Sequence, residues 1–382
     1  MLIDGHGLAF RAFHAVPALN SRDGTPTNVI MGFMNMLERL EREHKRTIER
    51  QCRPALSSND AMAANTLPPS ELSGANDSLI VQKTLHAPAN TVVTILKTSR
   101  KAEKDSGKKI NSHQLSLFDE EPSEPASLGD TEKAACETVR SENSQSEISD
   151  VTIVFDAPGK TFRHEIYPEY KQTRKPTPPE FIPQIPLLIE LLQYLGYPVV
   201  MIKGVEADDT IASASRIFNS VVVTSDKDLL QILRPGVEIL RPIKGVSAFS
   251  HYDVATFTEE YGFPPESMPD YLALLGDTVD NLPGVPGIGE KTASQLISEY
   301  KTIEALFENI EKLKPSNKKN LNENREQVYA TRELNRLKFD VKLDLNLFQP
   351  IVPDYAAAMS LCEKLDLRQI CNRIAILQQR RQ

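Results

Sequence analysis

Short apolar runs in this chain stop at an acid, and helical patterns separate them. LID ends at Asp4, the β-branched run VTIVFD at Asp156, and SVVVTSD at Asp226. Between and after them lie an amphipathic stretch VIMGFMNMLERL, then LIELLQYL, the short strand pattern PVVMI, ADDTIASASRIF and the start of KDLLQIL. Strand patterns alternating with helical ones predict a parallel sheet covered on both faces. Beyond about residue 250 the pattern turns mostly helical, with Gly- and Pro-rich loops. The expected fold is therefore α/β, a mostly parallel sheet flanked by helices, with a mostly helical second part. The expected division is 1–41 with 150–250 for the sheet domain and 251–382 for the helical part.

Residues 42–149 interrupt this plan. Stretches such as SSNDAMAANTLPPSELSGANDS and EEPSEPASLGDTEKAACETVRSENSQSE hold few large apolar side chains. Such composition cannot bury enough surface to offset the entropy of ordering, so a disordered, low-complexity insert is expected. Elsewhere no run approaches the roughly 20 apolar residues of a membrane span. MLIDGHGLAF lacks a basic segment followed by an apolar core, so no secretory signal is expected. The four cysteines, Cys52, Cys136, Cys362 and Cys371, show no CxxC or zinc-like spacing. A cytoplasmic monomer with reduced thiols is the expectation.

The acids carry the chemistry. Asp4, Asp156, Glu206, Asp208, Asp209, Asp226, Asp228, Asp277 and Asp280 all fall just past predicted strands or in the loop GDTVDN. In an open parallel sheet, residues past the strands' carboxyl ends converge on one crevice. An Asp after a strand commonly caps the next helix, and for Asp208 or Asp226 taken singly capping is the stronger reading. Nine repetitions are harder to explain that way, because clustered carboxylates repel unless cations neutralise them. Hard oxygen donors favour Mg²⁺, with Mn²⁺ as the alternative, and two such ions suit phosphodiester hydrolysis. The net charge of −8 does not exclude a nucleic-acid partner. Subtracting nine site carboxylates leaves +1 for everything else.

The motifs DGHGLAFRAFHA, VFDAPGKTFRHEIYPEYKQTRKPTP, EADD, TSDKDL and GDTVDNLPGVPGIGEKTA occur in this order over residues 1–41 and about 150–375. In order and spacing they resemble the 5′ nuclease (flap endonuclease) family, as found at the N-terminus of bacterial DNA polymerase I. The resemblance implies a PIN-like nuclease core and a helix–turn–helix element that grips duplex DNA. It places Asp4, Asp156, Glu206, Asp208 and Asp209 around one Mg²⁺, and Asp226, Asp228, Asp277 and Asp280 around a second. It puts residues 160–180 in a helical arch, where Lys171 and Arg174 would contact the scissile phosphate, with Arg163 on the same face. Phe10, Arg11, Phe13 and His14 would support unpaired nucleotides, although a core role for the two Phe fits equally. Gly287, Gly289, Lys291 and Thr292 would hold the DNA backbone at a helix start, with K⁺ as a further ion there. Such contacts position DNA without reading its sequence. The family pattern carries a small polar residue where this chain has Val279, from which a local packing effect is expected.

Within the insert, Gln114, Leu115, Ser116, Leu117 and Phe118 form QLSLF, which resembles the peptide that docks bacterial replication proteins on the sliding clamp. The chain ends soon after the nuclease pattern, so a stand-alone nuclease without a fused polymerase is expected. A tether of roughly 70 residues would reach about 45 Å root-mean-square and raise the local concentration of substrate. The functional expectation is a structure-selective 5′–3′ exonuclease and 5′-flap endonuclease on branched or nicked DNA. Its rivals are a non-catalytic flap-binding adaptor, which has no use for nine repelling charges, and an RNA-cutting enzyme on a similar sheet.

Overall fold

A computed structural model of the chain describes residues 1–51, 148–244 and 248–379. The QLSLF motif and almost all of the expected insert lie outside the described residues. One part of that expectation is corrected. The helix that starts at Asn28 runs to Gln51, well past residue 41, along a charged stretch supported by the i,i+4 pairs Arg42–Glu38 and Arg39–Glu43.

The sheet has six strands: β1 (Leu2–Asp4), β2 (Thr152–Val154), β3 (Val199–Val200), β4 (Ser220–Val223), β5 (Val237–Lys244) and β6 (Ala248–Tyr252). Their order is β3-β2-β1-β4-β5-β6, all parallel except the edge strand β6. In register, Ile3 sits between Ile153 and Val223. The ends of β1, β2 and β4 are therefore flush, and the residues after them emerge side by side. Alternation along the strands sorts the core into two layers. Leu2, Val154 and Val222 point to one face, whereas Ile3, Ile153 and Val223 point to the other. The β5–β6 hairpin was not expected. Its half-exposed residues and Pro242, next to a bulge, weaken the strand signal.

The helices are α1 (Gly5–Ala15), α2 (Asn28–Gln51), α3 (Phe162–Ile166), α4 (Gln184–Tyr194), α5 (Ala207–Ile217), α6 (Val254–Tyr261), α7 (Met268–Leu275), α8 (Glu290–Tyr300), α9 (Ile303–Glu308), α10 (Pro315–Glu323), α11 (Arg325–Asn335), α12 (Tyr355–Lys364) and α13 (Arg368–Gln379). Among the described residues no helix is long and apolar enough to cross a membrane. Helices α6 to α11 share a core with α5 and one face of the sheet. The last two do not belong with them: Ala358, Cys362, Ile370 and Ile374 pack with α1, α2 and α4 on the other face. The helical part expected over 251–382 is thus divided between the two layers. The expected arch is also different, since only α3 is helical there. Residues 167–183 form turns, as Pro168, Pro176, Pro178, Pro179 and Pro183 oppose helix continuation.

Arg163 is not on a DNA-facing surface. Its side chain is 2% exposed and its guanidinium grips both Asp209 oxygens, at 2.7 and 2.9 Å. The same group donates to Glu206 Oε2 (3.2 Å) and to the carbonyls of Leu334 (2.8 Å) and Arg336 (3.3 Å). Asp209 is fully buried and also accepts the Lys338 and Glu206 amides. One ion pair therefore ties α3, α5 and the segment after α11 together. Removing one partner would strand a buried charge, typically at a cost of about 3–5 kcal/mol. Arg163→Met should lower stability in urea by about that amount, and adding Asp209→Leu should recover part of it. A well-folded Arg163→Met chain with unchanged stability would restore the surface role.

Candidate active site

Above the flush strand ends, most acids do two jobs. Asp4 caps α1, accepting the Gly7 amide at 2.8 Å, while Thr224 donates to its other oxygen at 3.1 Å. Residue 7 must be Gly, because a Cβ there would lie 2.1 Å from Asp4 Oδ2. Asp156 accepts the Ala207 amide that opens α5 (2.8 Å) and meets His6 Nδ1 (3.1 Å). Asp226 accepts the Asp228 amide (2.9 Å), and Asp277 accepts those of Val279 (2.8 Å) and Asp280 (3.2 Å). Capping and site formation are compatible, since a carboxylate has two oxygens.

Asp4, Asp156, Glu206, Asp208 and Asp226 line one crevice of 480 Å³ together with His6, Phe10, Lys171 and Arg174. Asp228 lies against Asp226, Asp277 and Asp280, extending the acidic surface toward the loop after α7. Burial, reinforced by Asp226 and Asp156, pushes Asp4 up to about 6. Burial followed by repulsion from Asp226 and Asp4 raises Asp208 well above the usual range, and Asp226 and Asp228 are raised as well. Asp156 goes the other way. Burial would raise it, but His6, the Ala207 amide and Lys171 hold it at about 2. Asp209 does not join the set, because Arg163 occupies it. A cavity of 640 Å³ lies elsewhere, against Met1, Thr152 and Ser220, and contains none of these acids.

This donor set fits divalent cations: hard oxygens only, crowded and partly desolvated, with mutual repulsion that a cation would relieve. Among the described residues no three acids form a ready-made ligand cage. Cationic side chains take two of them instead. Lys171 Nζ is 2.6 Å from Glu206 Oε1, and Arg174 Nη2 is 2.5 Å from Asp280 Oδ1. The Tyr170 hydroxyl bridges Glu206 Oε2 and Asp280 Oδ2, at 3.2 and 3.1 Å. Residue type and spacing did not single out Tyr170, Thr224 or His6. Each stands within a recognised motif, but only the folded contacts show its role.

Phe10 stacks on Phe181 and Phe13 meets it edge-on, so both rings are packed against protein. Val279 is 62% exposed, and only its amide takes part in the loop. The loop between α7 and α8 is a separate feature. Gly276 has φ +75°, and a Cβ on Gly284 would meet the Leu275 carbonyl oxygen at 2.1 Å. This close approach presents Gly287 (φ +76°) and Gly289 at the start of α8, followed by Lys291 and Thr292 in its first turn.

Comparison with known proteins decides the family. Residues 1–52 and 132–262 match the 5′-3′ exonuclease N-terminal resolvase-like domain, and residues 263–356 match the 5′-3′ exonuclease C-terminal SAM fold. The chain belongs to the 5′-3′ exonuclease family. Thermostable DNA polymerase I of Thermus thermophilus is 35% identical over 234 residues, 60% of this chain and 28% of that protein. DNA polymerase I of Mycobacterium tuberculosis is 41% identical over 198 residues, 50% and 22% respectively. That of Rhizobium leguminosarum is 29% identical over 353 residues, 91% and 25%. The chain thus spans about a quarter of the length of these relatives. Among solved structures, T5 5′-exonuclease with bound zinc aligns over 64% of this chain and 87% of its own, with 21% identity and a TM-score of 0.42. In this member of the 5′-3′ exonuclease family the border between the two matches, 262/263, falls at Gly262, the left-handed cap that ends α6.

The raised acids give the metal-free protein a distinctive pH response. Between about pH 4 and 6 the folded chain keeps a proton on Asp4 that the unfolded chain has lost. Stability in EDTA should therefore fall as pH rises through this window. Asp4→Asn keeps a capping side chain and should raise Tm by a few degrees at pH 7.5, with the advantage gone near pH 4. Identical Tm profiles for the two proteins in EDTA would contradict the assigned burial of Asp4.

Proposed function

We propose that this chain hydrolyses phosphodiester bonds of branched or nicked DNA near 5′ ends, as a structure-selective exonuclease and flap endonuclease dependent on Mg²⁺, with Mn²⁺ as a substitute. The observation that carries the reading is the convergence of five carboxylates beneath Lys171 and Arg174 at the C-terminal ends of parallel strands. Asp4, Asp156, Glu206 and Asp208 would hold one ion, and Asp226, Asp228, Asp277 and Asp280 a second. Bound there, the ions would supply Lewis acidity, acidifying an attacking water and offsetting charge on phosphate oxygens.

The chain's own groups do the rest. Lys171 and Arg174 reach the crevice from the turn above it, where cationic donors stabilise charge that develops on the phosphate. His6 and the Ala207 amide keep Asp156 ionised. Backbone amides at Gly287–Gly289 and the ammonium of Lys291 suit phosphates of the duplex, because a helix start favours anions. None of these contacts reads a base, so cleavage should follow DNA shape. A labelled 5′-flap duplex tests the reading. Cleavage should require Mg²⁺ and stop in EDTA, and Asp226→Ala should abolish it. Lys171→Ala and Arg174→Ala should each slow it about 100-fold or more. Cleavage that survives EDTA, or the loss of Asp226, would refute the metal-dependent reading.

We further propose that QLSLF recruits the chain to a sliding clamp, supported by three apolar anchors and a Gln in a polar setting. Replacing Leu117 and Phe118 by Ala should abolish capture by the clamp while leaving cleavage of free flaps intact. Undiminished capture would dismiss the motif.

A further inference from the structure

Four side-chain oxygens, two of Glu206 in the crevice and two of Asp280 on the acidic surface beside it, are engaged by Lys171, Arg174 and their neighbours. Glu206 Oε1 binds Lys171, and its Oε2 accepts from Tyr170 and from Arg163. Asp280 Oδ1 accepts two bonds from Arg174, at 2.5 and 3.1 Å, while its Oδ2 meets Tyr170 at 3.1 Å and Lys171 at 4.0 Å. The backbone follows the side chains. The Lys171 amide donates to the Asp280 carbonyl (3.0 Å), Thr173 to that of Thr278 (3.3 Å), and Asn281 Nδ2 to that of Glu169 (2.8 Å). Lys171 adopts φ 61° within this lattice, a left-handed conformation that a Lys avoids unless contacts hold it there.

Resting on the nuclease reading above, we propose that Lys171 and Arg174 are exchangeable counter-cations. Without divalent ions they neutralise Glu206 and Asp280; when ions take those carboxylates, they are released to bind the DNA phosphate. The two roles compete. An ammonium held 2.6 Å from Glu206 and a guanidinium edge fixed on Asp280 have their charge offset by those carboxylates, which weakens their attraction for a phosphodiester, and a carboxylate oxygen so engaged is a poor ion ligand. Arg163 is no such exchange group, because it is buried and fixed bidentately on Asp209. Lys171 and Arg174 keep 23% and 45% of their side-chain surface exposed and have room to swing. The consequence is coupling: ions strengthen the cationic grip on DNA, and by linkage DNA strengthens ion binding to the same degree.

The first measurement needs neither DNA nor activity. Mn²⁺ binding to the full chain is followed by electron paramagnetic resonance or calorimetry for wild type, Lys171→Met, Arg174→Met and Arg174→Gln. Lys175→Met is the control: it removes an equal, exposed charge nearby that pairs with none of these acids among the described residues. Removing a competing counter-cation should tighten Mn²⁺ binding about three- to tenfold, and the control should change it less than about twofold. Wild-type binding with unchanged or weaker affinity in all the Lys171 and Arg174 variants would overturn the exchange. Equal tightening by Lys175→Met would also overturn it, by reducing the effect to bulk charge. Absence of Mn²⁺ binding to wild type would instead overturn the metal site itself. The second measurement is affinity for a 5′-flap duplex carrying a non-cleavable linkage. Lys171→Met combined with Arg174→Met should weaken binding at least about fivefold with Mn²⁺ and less than about twofold in EDTA. Equal losses in both conditions would show that the two cations are free for DNA throughout, against the proposal.

Discussion

Carboxylates that share a partly desolvated crevice repel one another, and the top of this sheet is arranged around managing that repulsion. Asp4, Asp208, Asp226 and Asp228 are all pushed toward the protonated form by burial and by neighbouring carboxylates. The fold holds them there through bonds that do not depend on neutralising them. Amides of Gly7, Ala207 and Asp228 fix one oxygen of Asp4, Asp156 and Asp226 respectively. Those amides belong to the first turns that follow the strands, so the sheet register and the positions of the acids are one constraint. A one-residue slip of β1 against β2 would exchange the Leu2 and Ile3 faces of the core and carry Asp4 off the crevice.

Much of this could be read from residue order alone. A strand that ends in Asp and is followed by a helix states both the cap and the direction of the carboxylate. Asp4 obeys that rule, taking the Gly7 amide of the next helix; Asp156 follows it only in direction, since the amide it accepts belongs to Ala207, 51 residues on. Asp209 shows where the rule stops. It stands in EADD beside Asp208, on the same first turn, and nothing local tells which of the two faces the crevice. The answer comes from Arg163, 46 residues upstream, whose guanidinium needs a buried partner. Arg163 was equally opaque, because its other partners are carbonyls at 334 and 336. Basic residues near a predicted site read as DNA contacts until burial is known.

The expected helices after residue 250 are present; the grouping of the last two and the helical arch differ for a related reason. Amphipathic periodicity gives a helix its apolar face but not the surface that face meets. Ile370 and Ile374 at i,i+4 predict a buried stripe equally well on either layer, and they pack with α2 and α4 rather than with α8 to α11. At residues 167–183 the prolines were visible throughout, and local chemistry opposed the helical arch that resemblance implied. Here the local rule describes the chain better. The turns bring Tyr170, Lys171 and Arg174 onto the same two acids.

The two layers meet at the site through charge as well as packing. Asp4, Asp156 and Asp226 ride on the sheet, whereas Asp277 and Asp280 ride on the loop after α7, shaped by the close approach of Gly284 to Leu275. Thr173, Lys171 and Asn281 tie the cationic turn to that loop. Glu206 is reached from both sides, by Arg163 from the core and by Lys171 from the turn. A change in the charge state of Glu206 or Asp280 is therefore felt at once by the turn that carries Lys171 and Arg174. Because the connection runs through direct ion pairs, the proposed exchange of partners requires no displacement of the sheet or of α7.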